Sequence, residues 1–154
     1  MSLEDFLNKL IYIPYARNVL SNINQTQIND RNWQKNGAKD YVSQFTSFWN
    51  FVKSTSSYRL KQSCEIGVLG YLLEGISSEK QLRNFVTQEF PNVDIQRIHA
   101  FGKRLKIIAP RRNDAAHGGN YLTYNDVCTD KQNVYDTSGA AFKGMILELM
   151  GILF

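Results

Sequence analysis

The stretch Ile95-Gln96-Arg97-Ile98-His99-Ala100-Phe101-Gly102-Lys103-Arg104-Leu105-Lys106-Ile107-Ile108 decides the fold class. Ile95, Ile98, Phe101, Leu105 and Ile108 recur at the spacing that aligns side chains on one face of an α-helix. Arg97, Lys103, Arg104 and Lys106 fall off that face. Pro91 ends the helix before it, Asn92 is placed to cap it, and Pro110 closes it. The same periodicity returns along the chain while alternating, strand-like stretches are hard to find. The expectation is an all-α chain, a bundle of about six to eight helices with no substantial sheet.

Working back from that helix, Ser78-x-x-Gln81 reads as a capping box opening a helix with Leu82, Phe85, Val86 and Phe90 on its apolar side. Arg59 to Gly75 reads as the central helix, buried nearly all round, with Gly67 and Gly70 permitting close approach of a neighbour. Tyr41, Phe45, Phe48, Trp49 and Val52 form an aromatic face that reads as a core stripe rather than a base-stacking platform. Asn24 to Gly37, rich in Asn and Gln, is the candidate long loop. Ser2-x-x-Asp5 starts a first helix over Phe6, Leu7, Leu10 and Ile11. Pro14 interrupts, and Tyr15, Val19, Leu20 and Ile23 suggest a second short helix. Forward of the motif, Thr123-x-x-Asp126 is another helix start. A last helix carries Phe142, Met145, Ile146, Leu149, Ile152 and Leu153.

Length and composition set the outer limits. The 154 residues make a single domain, 43% hydrophobic and 21% charged, with net charge +4 and pI near 9.1. That mild excess of positive charge is compatible with an anionic partner without demanding one. Cys64 and Cys128 lack metal-ligand spacing, Glu4 and Asp5 stand where a secretory signal needs basic residues, and the apolar runs are too short to span a bilayer. The reading is a cytoplasmic chain with reduced thiols and no membrane partner. The apolar ending Met150-Gly151-Ile152-Leu153-Phe154 suggests a piece of something longer, or an end packed into a core or interface.

Directly after the deciding helix stands Pro110-Arg111-Arg112-Asn113-Asp114-Ala115-Ala116-His117-Gly118-Gly119. A permanently charged guanidinium here precedes an imidazole that titrates near neutrality, a pairing able to hold a phosphate and move a proton. Metal-free RNA cleavage needs a base for the ribose 2′-OH, an acid for the departing 5′-oxygen and a cation on the phosphorane. Histidine suits the first two roles and arginine the third. Asn113 could bind phosphate or orient the histidine. Plainer roles stay open: His117 as a helix C-cap, His99 as a packed or surface residue, Arg111 as the phosphate contact instead of Arg112, and Asp114 as an arginine's ion-pair partner.

Arg112-Asn113-x-x-x-His117 resembles the signature of the HEPN superfamily of small helical proteins, many of them metal-independent ribonucleases. The likeness is best supported over 92–154, and 1–37 reads as peripheral helices and loop. It implies a homodimer whose two motif copies meet in one cleft, with Arg112, His117 and Asn113 catalytic and no cofactor or metal. Arg111, Arg104, Lys103, Lys106 and Arg97 would then hold the RNA phosphates. It further implies a toxin or phage-defence effector, with an antitoxin or further domains of a parent protein as partners. On an ideal helix Arg112 and His117 stand about 140° apart. Either the segment bends or a second protomer completes the site. The other reading is a non-catalytic dimerisation, adaptor, or RNA- or nucleotide-binding module. A DNA-reading helix would need a basic helix projecting free of the core.

Overall fold

The computed structural model describes residues 2–41, 60–116 and 143–154, with side chains up to 108 and from 144 in the last two segments. Among them are seven α-helices and no strand, as the periodicity predicts. They are α1 (Leu3–Leu7), α2 (Ile13–Asn18), α3 (Gln25–Asn29), α4 (Ile66–Glu74), α5 (Lys80–Glu89), α6 (Ile95–Ala116) and α7 (Lys143–Leu153). The predicted helix over Phe45–Val52 and the polar stretch through Asp136 lie outside the described residues, as do Cys128 and His117.

Helices α4 and α6 form the central pair. Their crossing is close because both carry glycine at the contact. A Cβ on Gly70 would sit 3.0 Å from both Leu105 Cβ and Lys106 N, and one on Gly102 would strike the α4 backbone at Glu74 and Leu73. The sequence expectation for Gly70 therefore holds. On α6, Ile98, Phe101, Leu105 and Ile108 are buried as expected, against Leu69, Leu72 and Leu73 from α4 in the same core. Helix α7 adds Met145, Leu149, Ile152 and Leu153. Its end is tied to the start of α6 where Asp94 N donates to Ile152 O at 3.1 Å. Phe154 is two-thirds exposed yet packs edge-on against Phe90, with ring centroids 5.4 Å apart.

Several boundaries differ from the sequence reading, each for a local reason. The first helix does start at Ser2, whose hydroxyl accepts from Asp5 N. Pro14 does not interrupt it, because a π-helical turn over Asn8–Tyr12 widens the backbone just ahead and the proline lands in the first turn of α2. Nor does Pro110 close α6, which runs on to Ala116. An interior proline removes one helical bond and disfavours continuation without forbidding it.

The central helix starts at Ile66 rather than Arg59. Its opening amides are met from distant chain, which no local signal announces: Ile66 N donates to Glu4 Oε2, and Cys64 N to Asn8 Oδ1. Nor is it buried all round, since Tyr71 is exposed. Ser78-x-x-Gln81 makes no capping box: Ser78 donates back to Gly75 O, and buried Glu79 takes the N-cap position of α5. Asp94, not Asn92, caps α6 by accepting from Arg97 N.

The largest correction concerns 24–37, read as a loop. Asn24 and Gln27 make a reciprocal capping box that opens α3. After Asp30 the chain is helical again, with a π-helical turn over Trp33–Gly37 and a 3₁₀ turn over Ala38–Asp40. Buried Ile28 and Ala38 bind this segment to the body. So does Tyr15 OH, which donates to Tyr41 O at 2.8 Å, while the Gln34 amide donating to Ile28 O ties the segment to itself.

Candidate functional site

The motif is delivered by α6. Arg111, Arg112 and Asn113 fall on its last turns, beyond the described side chains, and His117 follows directly after its last residue. No turn separates the basic run from the arginines. One rigid element, held by its apolar face, carries both.

Of the four basic residues upstream, two face solvent and two are engaged. Arg97 and Lys103 are exposed. Arg104 Nη1 lies 2.7 Å from both carboxylate oxygens of Glu148 on α7. Lys106 pairs with Glu74 on α4, and its ammonium also sits 4.2 Å from the centre of the Tyr71 ring. Each engaged pair is roughly two-thirds to three-quarters covered. Ion pairs this accessible are worth about 1 kcal/mol or less to stability. Their larger consequence here is electrostatic, because each carboxylate cancels a charge assigned to an incoming phosphate. Glu148, the one charge in an otherwise apolar C-terminal run, owes its position to Arg104.

His99 is a positioning residue within the fold. Its Nδ1 faces the carbonyl of Glu74, an acceptor only, so Nδ1 carries the proton and donates. That carbonyl lies where α4 passes into a 3₁₀ turn over Gly75–Ser77. His99 thus closes α4 onto α6, in keeping with the packed reading.

Sequence reasoning missed two features. Asn8, buried on the π-helical turn, clamps the extended segment before α4: its amide accepts from Cys64 N at 2.8 Å and donates to Cys64 O at 2.9 Å. Tyr12 OH donates to Lys61 O at 2.6 Å. Burial pushes the Cys64 thiol up to about 12, against a lowering contribution from the Tyr12 hydrogen bond. The thiolate is the reactive form, so this sulfur is held unreactive near neutrality. A cavity of about 420 Å³ lies beside the clamp, between Tyr12, Ala16, Arg17, Leu60 and Lys61.

The second missed feature is a groove of about 720 Å³ lined by Arg31, Gln34, Lys35, Asn36 and Lys39. The signal for it was present in the Asn24-x-x-Gln27 capping box and in basic residues four apart. Reading the segment as loop hid both.

Among the described residues no group of three or more His, Cys, Asp or Glu side chains could hold a metal, and no helix is long and apolar enough to cross a membrane. Comparisons with protein-family models, curated proteins and solved structures find no match to this chain.

Proposed function

We propose that the chain is a HEPN-type endoribonuclease that cuts RNA without a metal, acting as a homodimer through Arg112, Asn113 and His117 of each protomer. The observation that supports this most is the unbroken course of α6 to Ala116, which mounts Arg112 and Asn113 on a helix anchored in the core. If the helical course held on to His117, Arg112 and His117 would stand about 140° apart, and a second copy of the motif would supply the missing partner. In the reaction the 2′-oxygen loses its proton to a histidine and bonds to phosphorus. The 5′-oxygen leaves with a proton from the second histidine, and the arginines hold the phosphorane charge. The products are a 2′,3′-cyclic phosphate and a 5′-hydroxyl. A toxin or phage-defence setting fits such an activity.

The test is incubation with mixed RNA in EDTA. Cleavage leaving cyclic phosphate ends is expected, with a loss of at least about a hundredfold in His117→Ala and Arg112→Ala variants that keep their helical circular dichroism. Activity that needs a metal, or that survives both substitutions, sinks the reading. The pairing of Arg104 and Lys106 with carboxylates takes two cations from the motif's approach and favours a second one, a helical module that joins subunits, or binds RNA or nucleotide through other residues, without cutting. Intact RNA in the same assay would select it.

A further inference from the structure

We infer that the groove formed by Arg31, Lys35 and Lys39 is a binding surface for the phosphodiester backbone of single-stranded RNA, separate from the motif on α6. The proposal rests on RNA being this protein's ligand.

The backbone builds the groove. Asp30 caps the segment by accepting from Asn32 N, and Gln34 N returns to Asp30 O. In a uniform α-helix, eight residues would carry Lys39 about 80° around from Arg31. The π-helical turn over Trp33–Gly37 bonds from i to i+5 and so advances less per residue, which winds that offset back, and the 3₁₀ turn that carries Lys39 returns part of it. Ala38 N donating to Trp33 O marks this wide turn. The three cations are thereby gathered along one groove, with the Gln34 and Asn36 amides between them.

The charge is available. Arg31, Lys35 and Lys39 are exposed, and none pairs with a carboxylate among the described residues. Asp30 and Asp40 flank the groove at its two ends; Asp30 accepts from the Asn32 amide and neither pairs with the three cations among the described residues. Three positive charges in a concavity form a footprint for a polyanion. The Gln34 and Asn36 amides each spend one N–H inside the segment, on Ile28 O and Asn32 Oδ1, and present their oxygens and second N–H to a ribose-phosphate chain, which offers hydroxyls that donate and accept. A membrane surface fits less well. Such contacts insert large apolar side chains, and the apolar residues of this segment turn inward: Ala38 is buried, and Trp33 packs on Tyr41 with centroids 6.1 Å apart.

The experiment is fluorescence anisotropy of a labelled single-stranded RNA across a salt series, with the full chain carrying His117→Ala to prevent cutting. Adding Arg31→Ala, Lys35→Ala and Lys39→Ala together should weaken binding at least about tenfold at low salt. It should also flatten the log K against log salt slope by about 2, at about 0.7 per contact. Lys35→Arg with Lys39→Arg should bind like the parent. Lys35→Glu, a single exposed change, should weaken binding as well. Unchanged affinity and slope in the triple variant overturn the proposal. So does a loss seen only on vesicles containing phosphatidylserine and not on RNA. The unmodified chain, incubated with the same RNA in EDTA, separates the two ideas. Binding that depends on the groove without cleavage sinks the nuclease and keeps the groove. Cleavage that depends on His117 with an indifferent groove does the reverse.

Discussion

Two basic regions of this molecule look alike in sequence and differ in space. Arg97 to Lys106 is dense in charge and runs into the motif, yet α4 and α7 bring Glu74 and Glu148 against it. Arg31 to Lys39 is sparser and sits in a segment dominated by amides, yet its three cations stay exposed around one groove. A helix packed on both sides meets its neighbours' carboxylates. A peripheral helix with only one buried side does not. The field a ligand feels is set by that packing and not by the count of lysines and arginines in a window.

The largest expected effect comes from breaking the packing on the α6 side. Gly102→Ala would push a methyl into the α4 backbone at Glu74, where no flexible side-chain end can yield. Overpacking of this kind costs about 1–3 kcal/mol or more. The crossing it disturbs also holds His99 on the Glu74 carbonyl and Lys106 on the Glu74 carboxylate. A calorimetric melt should show a fall of several degrees. An unchanged melting temperature would mean that the glycines are not what sets the crossing.

How far sequence could reach follows the same division. The core face of α6 and the apolar face of α7 were legible because burial imposes a strict period on residues such as Ile98, Leu105 and Leu149. The start of α4 was not, because Glu4 and Asn8 satisfy its backbone from another helix. Pro14 and Pro110 misled because a proline's penalty is finite and a π-helical turn or a well-anchored helix absorbs it. Of the motif, Arg111, Arg112 and Asn113 fall on α6, and His117 lies outside the described residues. The groove was legible only in part: its capping box and spaced cations stand in the sequence, while the π-helical turn that sets their angles is specified by no residue type.

A smaller effect should follow from freeing the charges that α6 holds in pairs. Glu74→Gln with Glu148→Gln keeps shape and removes both countercharges. Stability should drop by about 1 kcal/mol or less per pair. If RNA passes along α6 towards Arg112, affinity should rise and the salt slope should steepen by about 1.4, for two added contacts on a single strand. Anisotropy on the His117→Ala background reads both quantities. A slope that does not move would place the RNA path away from this face and leave the groove as the basic surface in use among the described residues.

The smallest effect tests whether the groove is preorganised. Asn24→Ala removes one half of the capping box, the Asn24 side-chain oxygen that accepts from Gln27 N at 2.8 Å, and keeps the backbone N–H at position 24 that donates to the Gln27 side chain. Loss of an N-cap costs about 1 kcal/mol. Helix α3 should fray while Arg31, Lys35 and Lys39 keep their charges. The salt slope, which counts contacts, should therefore hold, and the affinity extrapolated to high salt should weaken a few-fold because the loosened segment must be ordered on binding. A fall in slope together with affinity would instead mean that the cations depend on α3 for their convergence. The π-helical turn would then be insufficient to gather them.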